Sequence, residues 1–204
     1  LNRQKGVLSI TPNRGTAKNR QIFAGTYVMR RDLFIDMIKK AHNASAMYSL
    51  MDWVNLMCSE MDIRGVAHRG YFGSVTNFKS YYDTSMSLID LKTARSLFDA
   101  DWPIYTRTSD SCPTQYLDGA DVKASVISNG CRIEGTIDHS ILSRGCIIKK
   151  GAVVKNCVIL PDVVIGEDTV LENVVVDKHV RINHIKEVKG TPENPGYVKR
   201  GDHL

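Results

Sequence analysis

The chain has 204 residues, of which 43% are apolar and 24% charged, with a formal net charge of +5. That composition suits one large domain or two small ones and argues against wholesale disorder. No apolar run approaches the ~20 residues that span a bilayer and no secretory leader pattern is present, so a cytoplasmic protein without a membrane partner is expected. The first residue is Leu1 and not Met, so the chain reads as a fragment of a longer protein.

In chain order, Phe23 to Met29 is a short run of β-branched and aromatic residues that predicts a buried strand. Asp32 is placed to cap a helix carrying Leu33, Phe34, Met37, Ile38 and Ala41 on one stripe. Ser49 and Asp52 form a capping-box pattern ahead of Leu50, Trp53, Val54 and Met57. Val66 to Tyr71 predicts a second strand, and Thr76 opens a helix bearing Phe78, Tyr81 and Tyr82, the tyrosines read as core. Asp101 to Gly119 reads as an ordered connector.

Beyond about residue 118 the period changes. Ile141, Ile147, Val153, Ile159, Ile165 and Leu171 recur at every sixth position. A longer repeat overlays them, with Ser125 to Ile133 returning from Ser140, from Cys157 and from Asn173, in steps of 15, 17 and 16 residues. Helices repeat every three or four residues and flat strands every two. A six-residue period instead implies a triangular parallel β-helix, with one inward aliphatic anchor per face. Asn129-Gly130, Gly135, Gly145, Gly151, Pro161-Asp162 and Gly166 supply the corners. The expected layout is α/β over residues 1–100, a connector over 101–119, the β-helix over 120–186, and a mobile tail or cap over 187–204.

Basic pairs such as Lys39-Lys40 and Lys149-Lys150 are scattered without interleaved aromatics, so no nucleic-acid surface is expected. The five cysteines form no CxxC pair and no zinc spacing. Reduced, buried thiols are the reading, with Cys131 and Cys146 at equivalent corners. No metal site is read from the scattered histidines.

Four segments carry a resemblance to the glucose-1-phosphate adenylyltransferase (ADP-glucose pyrophosphorylase) family over nearly the whole chain. Gly25-Thr26-Tyr27-Val28-Met29 resembles the family's SMGIYVF strand, and Gly70 to Thr76 its YWRDVGT segment. Asp101-Trp102-Pro103-Ile104-Tyr105-Thr106 resembles the NWPIRT connector, and Val158 to Gly166 the VLLPDVxVG coil. The resemblance implies the C-terminal part of a Rossmann-like α/β nucleotidyltransferase domain followed by a left-handed β-helix. It also implies that roughly half of a longer protein precedes Leu1. The incomplete sheet of the first 100 residues should then expose apolar surface.

Family enzymes join glucose 1-phosphate to ATP, using Mg²⁺ on carboxylates and a lysine on the sugar phosphate. Here the metal-holding Asp of YWRDVGT aligns with Ser74, and the preceding Trp and Arg with Phe72 and Gly73. The Glu and Lys of the family's EKP motif align with Ile10 and Thr11, the Ser of SMGIYVF with Phe23, and the sugar-contacting Asp with Tyr48. The resemblance therefore implies a non-catalytic, D-type glycogen biosynthesis protein that takes no cofactor itself. It would modulate a catalytic adenylyltransferase paralogue in a hetero-oligomer, with self-association through the β-helix as a further contact. Three alternatives are an active adenylyltransferase with a rebuilt site, a hexapeptide-repeat acyltransferase using His139 as base, and a subunit of a translation-factor exchange complex.

Overall fold

A computed structural model describes residues 1–11, 21–43, 49–98, 100–106 and 108–204. Two units separate by internal contacts, Leu1–Arg69 and Gly70–Leu204.

In the first unit, α1 (Arg31–Asn43) and α2 (Leu50–Met57) bury Met37, Trp53 and Val54 in one apolar cluster, with Tyr27, Leu33 and Met57 packed around it. Helix α2 starts as the sequence predicts: the Ser49 hydroxyl accepts the Asp52 N–H at 3.2 Å and caps the first turn. Helix α1 differs. It begins at Arg31, so Asp32 lies inside the first turn and not at the cap. There Asp32 pairs with the Arg30 guanidinium, which holds its carboxyl below the usual range.

Neither expected strand forms. Residues 23–29 and 66–71 carry no ladder, and Val28 and Val66 are 97% and 94% exposed. A strand exists only where a neighbour supplies ladder hydrogen bonds, and among the described residues neither run belongs to a sheet. Among the described residues, the β pairing in this unit is a single antiparallel bridge between Gly6 and Arg64.

The second unit opens with α3 (Phe78–Ser87) and α4 (Leu91–Leu97). Asn77, not Thr76, caps α3: its side chain accepts the Ser80 N–H at 2.8 Å, while Ser80 Oγ accepts the Asn77 N–H at 3.0 Å. The reciprocal pair forms a full capping box and fixes the helix start one residue later.

From Gln115 onward the chain is a left-handed β-helix of three parallel five-stranded sheets. The first sheet holds β1 (Gln115–Tyr116), β4 (Arg132–Ile133), β7 (Ile147–Ile148), β10 (Val164–Ile165) and β13 (Arg181–Ile182). The second holds β2 (Asp121–Lys123), β5 (Thr136–Asp138), β8 (Val153–Lys155), β11 (Val170–Glu172) and β14 (Glu187–Lys189). The third holds β3 (Val126–Ile127), β6 (Ile141–Leu142), β9 (Val158–Ile159), β12 (Val174–Val176) and β15 (Gly196–Val198).

Pairing fixes the register. Val153 lies beside Val170 and Val170 beside Glu187, a coil of 17 residues. The coil joining Arg132 to Ile147 has only 15. Val158 pairs with Val175, so the third step is 17 and not the 16 read from the sequence.

Ile133, Ile137, Leu142, Ile148, Val154, Ile159, Ile165, Leu171, Val176 and Ile182 point inward and are fully buried. The strict sixth-position pattern is therefore right only for Ile159, Ile165 and Leu171. Ile141, Ile147 and Val153 are partly exposed, and their C-terminal neighbours fill the interior. The reason is the two-residue corner between the second and third sheets. It makes the step from Val154 to Ile159, and from Leu171 to Val176, five residues, which slips the phase by one in every coil.

That tight corner is made by Ala124, His139, Asn156 and Asn173, stacked one above another in the left-handed region at φ 43° to 53°. Asn and His tolerate this conformation better than most side chains. The four-residue corners use Gly130, Gly145, Asp162 and His179 in the same way, and Gly119, Gly151 and Asp168 on the third edge. Cys131, Cys146 and Cys157 fill the small inward sites just after corners, as expected for the first two. All five cysteines are free.

The C-terminal segment is a cap and not a loose tail. Strands β14 and β15 continue the sheets, and His203 bridges Arg181 in parallel. The Leu204 carbonyl then accepts the N–H groups of Asn183 and His184 at 2.6 and 2.8 Å.

Helix α3 covers part of the third sheet's outer face. Tyr82 is buried against Val158 and Val175, and its hydroxyl donates to the Asn156 carbonyl at 2.7 Å. Burial pushes the Tyr82 phenol up from 10.0 to about 12, and the Cys157 thiol from 9.0 to about 12. Both groups are neutral in the native state where the unfolded chain would ionise. Their contribution is fully present below pH 9–10 and is lost as pH rises towards 12. Tyr82→Phe should lower stability at pH 7 by about 1 kcal/mol, through the lost hydrogen bond. It should also flatten the fall in urea midpoint between pH 9.5 and 11, leaving the Cys157 share. An unchanged alkaline slope would show that Tyr82 does not sit protonated in this packing.

Candidate functional site

The residues aligned with family site positions are divided between the two units. In the first, Ile10 is half-buried and Thr11 exposed. Both main-chain groups of Ile10 are held by one side chain: Asn55 Oδ1 accepts its N–H at 2.7 Å, and Asn55 Nδ2 donates to its carbonyl at 2.8 Å. Asn55 thus acts as a one-residue strand partner. Sequence reasoning missed it, since an Asn within an apolar helix stripe gives no local sign of a partner 45 residues away. Phe23 is 42% exposed and stacks edge-on with Tyr27, ring centroids 4.9 Å apart. Tyr48 lies outside the described residues.

In the second unit, Phe72 and Ser74 are both exposed. Between them Gly73 is tightly approached: a Cβ there would lie 2.6 Å from Thr84 Cγ2 and 3.0 Å from the Tyr71 hydroxyl. That hydroxyl is in turn 2.7 Å from Ser87 Oγ. The backbone at Gly73 therefore lies against α3 where the family pattern carries an arginine.

The donor set does not fit a magnesium ion. Gly70 to Thr76 contains no carboxylate, and a neutral hydroxyl at Ser74 is a poor substitute on a hard dication. Among the described residues no group of three or more His, Cys, Asp or Glu side chains could hold a metal.

His139, the alternative general base, is a corner residue at φ 44° with Nδ1 3.0 Å from Asn156 Oδ1. It belongs to the corner stack with Ala124, Asn156 and Asn173. An open notch of about 680 Å³ in this unit is lined by Tyr116, Leu117, Asp118, Gly119, Glu134 and Lys150. Among the described residues no helix is long and apolar enough to cross a membrane.

Residues 114–194 match the family model for the GlmU-like C-terminal hexapeptide. Over 175 residues, 86% of this chain, the sequence is 38% identical to the glycogen biosynthesis protein GlgD of Bacillus subtilis, covering 51% of that protein. A GlgD from Geobacillus stearothermophilus is similar at the same identity and coverage. The glucose-1-phosphate adenylyltransferase of Streptomyces coelicolor is 38% identical over 86 residues, which is 42% of this chain and 22% of that enzyme. The chain spans about half the length of the GlgD proteins it matches. With the β-helix and the aligned landmarks, these likenesses agree: the chain is similar to GlgD over 86% of its length, and to the glucose-1-phosphate adenylyltransferases over 42% of it.

Proposed function

We propose that the chain is part of a non-catalytic regulatory subunit in glycogen biosynthesis. In this reading it modulates a catalytic glucose-1-phosphate adenylyltransferase in a cytoplasmic hetero-oligomer and binds no cofactor of its own. The observation that carries the reading is the Gly73-Ser74 pair. Transfer to the α-phosphorus of ATP requires a metal on carboxylates and cations on phosphate, because charge stabilisation does most of the work in phosphoryl chemistry. Ser74 supplies no anion, and Gly73 supplies no cation where the family pattern carries an arginine. Ile10, Thr11 and Phe23 likewise offer no charge to a sugar phosphate.

A subunit that keeps its fold but lacks these groups acts through contact. The experiment is a titration of the full-length protein into a fixed amount of the catalytic adenylyltransferase from the same cell. A saturable change in kcat or KM, together with co-elution of the two chains, is expected. Unchanged kinetics across a tenfold molar excess, with separate elution, would overturn the reading.

A further inference from the structure

We propose that the notch at the first corner of the β-helix is a binding subsite for neutral glucosyl units. The notch exists because one corner is short. The other corners on this edge have four residues, Leu117 to Ala120 and Lys149 to Ala152 among them, whereas between Ile133 and Thr136 there are only Glu134 and Gly135. The chain is drawn in so far that a Cβ on Gly135 would overlap the Ala152 carbonyl and lie 3.0 Å from that of Lys149. A Cβ on Gly119 would lie 3.1 Å from the Glu134 carbonyl. A recess of about 680 Å³ is left between the corners above and below.

Its lining sorts ligands by charge. Asp118 and Glu134 oppose Lys150, and Arg132 approaches Glu134 at 4.0 Å, so the local charges cancel. A sugar phosphate or nucleotide would meet two carboxylates, and a cation would meet Lys150 and Arg132. A neutral polyol meets neither penalty: carboxylates accept from adjacent hydroxyls and Lys150 donates to them. Tyr116 completes the site. It occupies an inward register position, paired with Ile133, but in the first coil the residue is 57% exposed. An exposed aromatic face beside convergent polar groups suits the C–H face of a pyranose.

The choice of glucose over other neutral sugars rests on the glycogen reading above; the recess and its charge balance do not. The test is native electrophoresis of the full-length protein in gels with and without glycogen, with free maltotetraose as competitor. Retardation by glycogen is expected, weakened about tenfold in apparent affinity by Tyr116→Ala, reduced by Glu134→Gln and retained by Tyr116→Phe. Competition by maltotetraose assigns the contact to short glucan segments, and its absence to the polymer's branched surface, both as glucosyl recognition. No retardation of the unaltered protein would overturn the proposal, as would retardation indifferent to both Tyr116→Ala and Glu134→Gln. Because no catalytic partner is present, this result is independent of the regulatory titration.

Discussion

Ile148→Asp is expected to unfold the β-helix, while Ile147→Asp leaves it folded. Ile148 is wholly buried and stacks between Ile133 and Ile165 in the interior ladder. A carboxylate there either ionises in an apolar core or is held protonated, with no partner in the ladder, and it also removes aliphatic packing. The combined cost exceeds about 4 kcal/mol, most of the ~5–15 kcal/mol that holds a domain together. Ile147 sits one residue earlier on the outer face of the same strand and is only partly buried. Its replacement should cost about 1 kcal/mol. Far-UV circular dichroism and urea unfolding of the two variants read the phase of the helix directly. Equal effects, or a larger loss at Ile147, would mean that the strict six-residue phase holds here after all.

Gly135→Ala is the second large effect, of about 2–3 kcal/mol. The added methyl would press on the Ala152 and Lys149 carbonyls, which are backbone and part of the neighbouring coil's corner, so neither can swing away. Gly201→Ala provides the contrast. Nothing lies within 4 Å of its Cβ position, and only the left-handed φ of +76° opposes the change, at about 1 kcal/mol. If the two variants unfold at the same urea concentration, the short corner is not packed as described.

The β-helix was legible because its determinants are local and repeated. Inward aliphatics on the faces, small residues such as Cys131, Ser140 and Ala152 at corner ends, and Gly, Asn or Asp at left-handed positions recur from coil to coil. What the period alone did not reveal was the phase. A two-residue corner shifts the inward site from Val153 to Val154 and from Ile147 to Ile148, and the apolar pairs Ile147-Ile148 and Val153-Val154 conceal the slip.

The first unit was read less well for a different reason. The composition of Phe23 to Met29 and Val66 to Tyr71 suits a strand, but a strand is completed by its neighbours, and none pairs with them among the described residues. Helices α1 and α2, whose hydrogen bonds are internal, appeared where expected to within a residue or two. At the aligned site positions, the residue types at Ser74, Phe72, Ile10 and Thr11 could be read directly. The grip of Asn55 on Ile10 could not, since it joins segments 45 residues apart, and the approach of Thr84 to Gly73 depends on how the loop before α3 folds back.

The regulatory reading requires that the scaffold persists without adenylyltransfer chemistry. ADP-glucose formation by the full-length protein alone tests this, with ATP, magnesium and labelled glucose 1-phosphate at saturating levels. No product above the enzyme-free control is expected, and none from the Gly73→Arg/Ser74→Asp double variant, because Ile10 and Thr11 still offer no charge to the sugar phosphate. Steady turnover by the unaltered protein, at the 1–10³ s⁻¹ usual for enzymes, would contradict it.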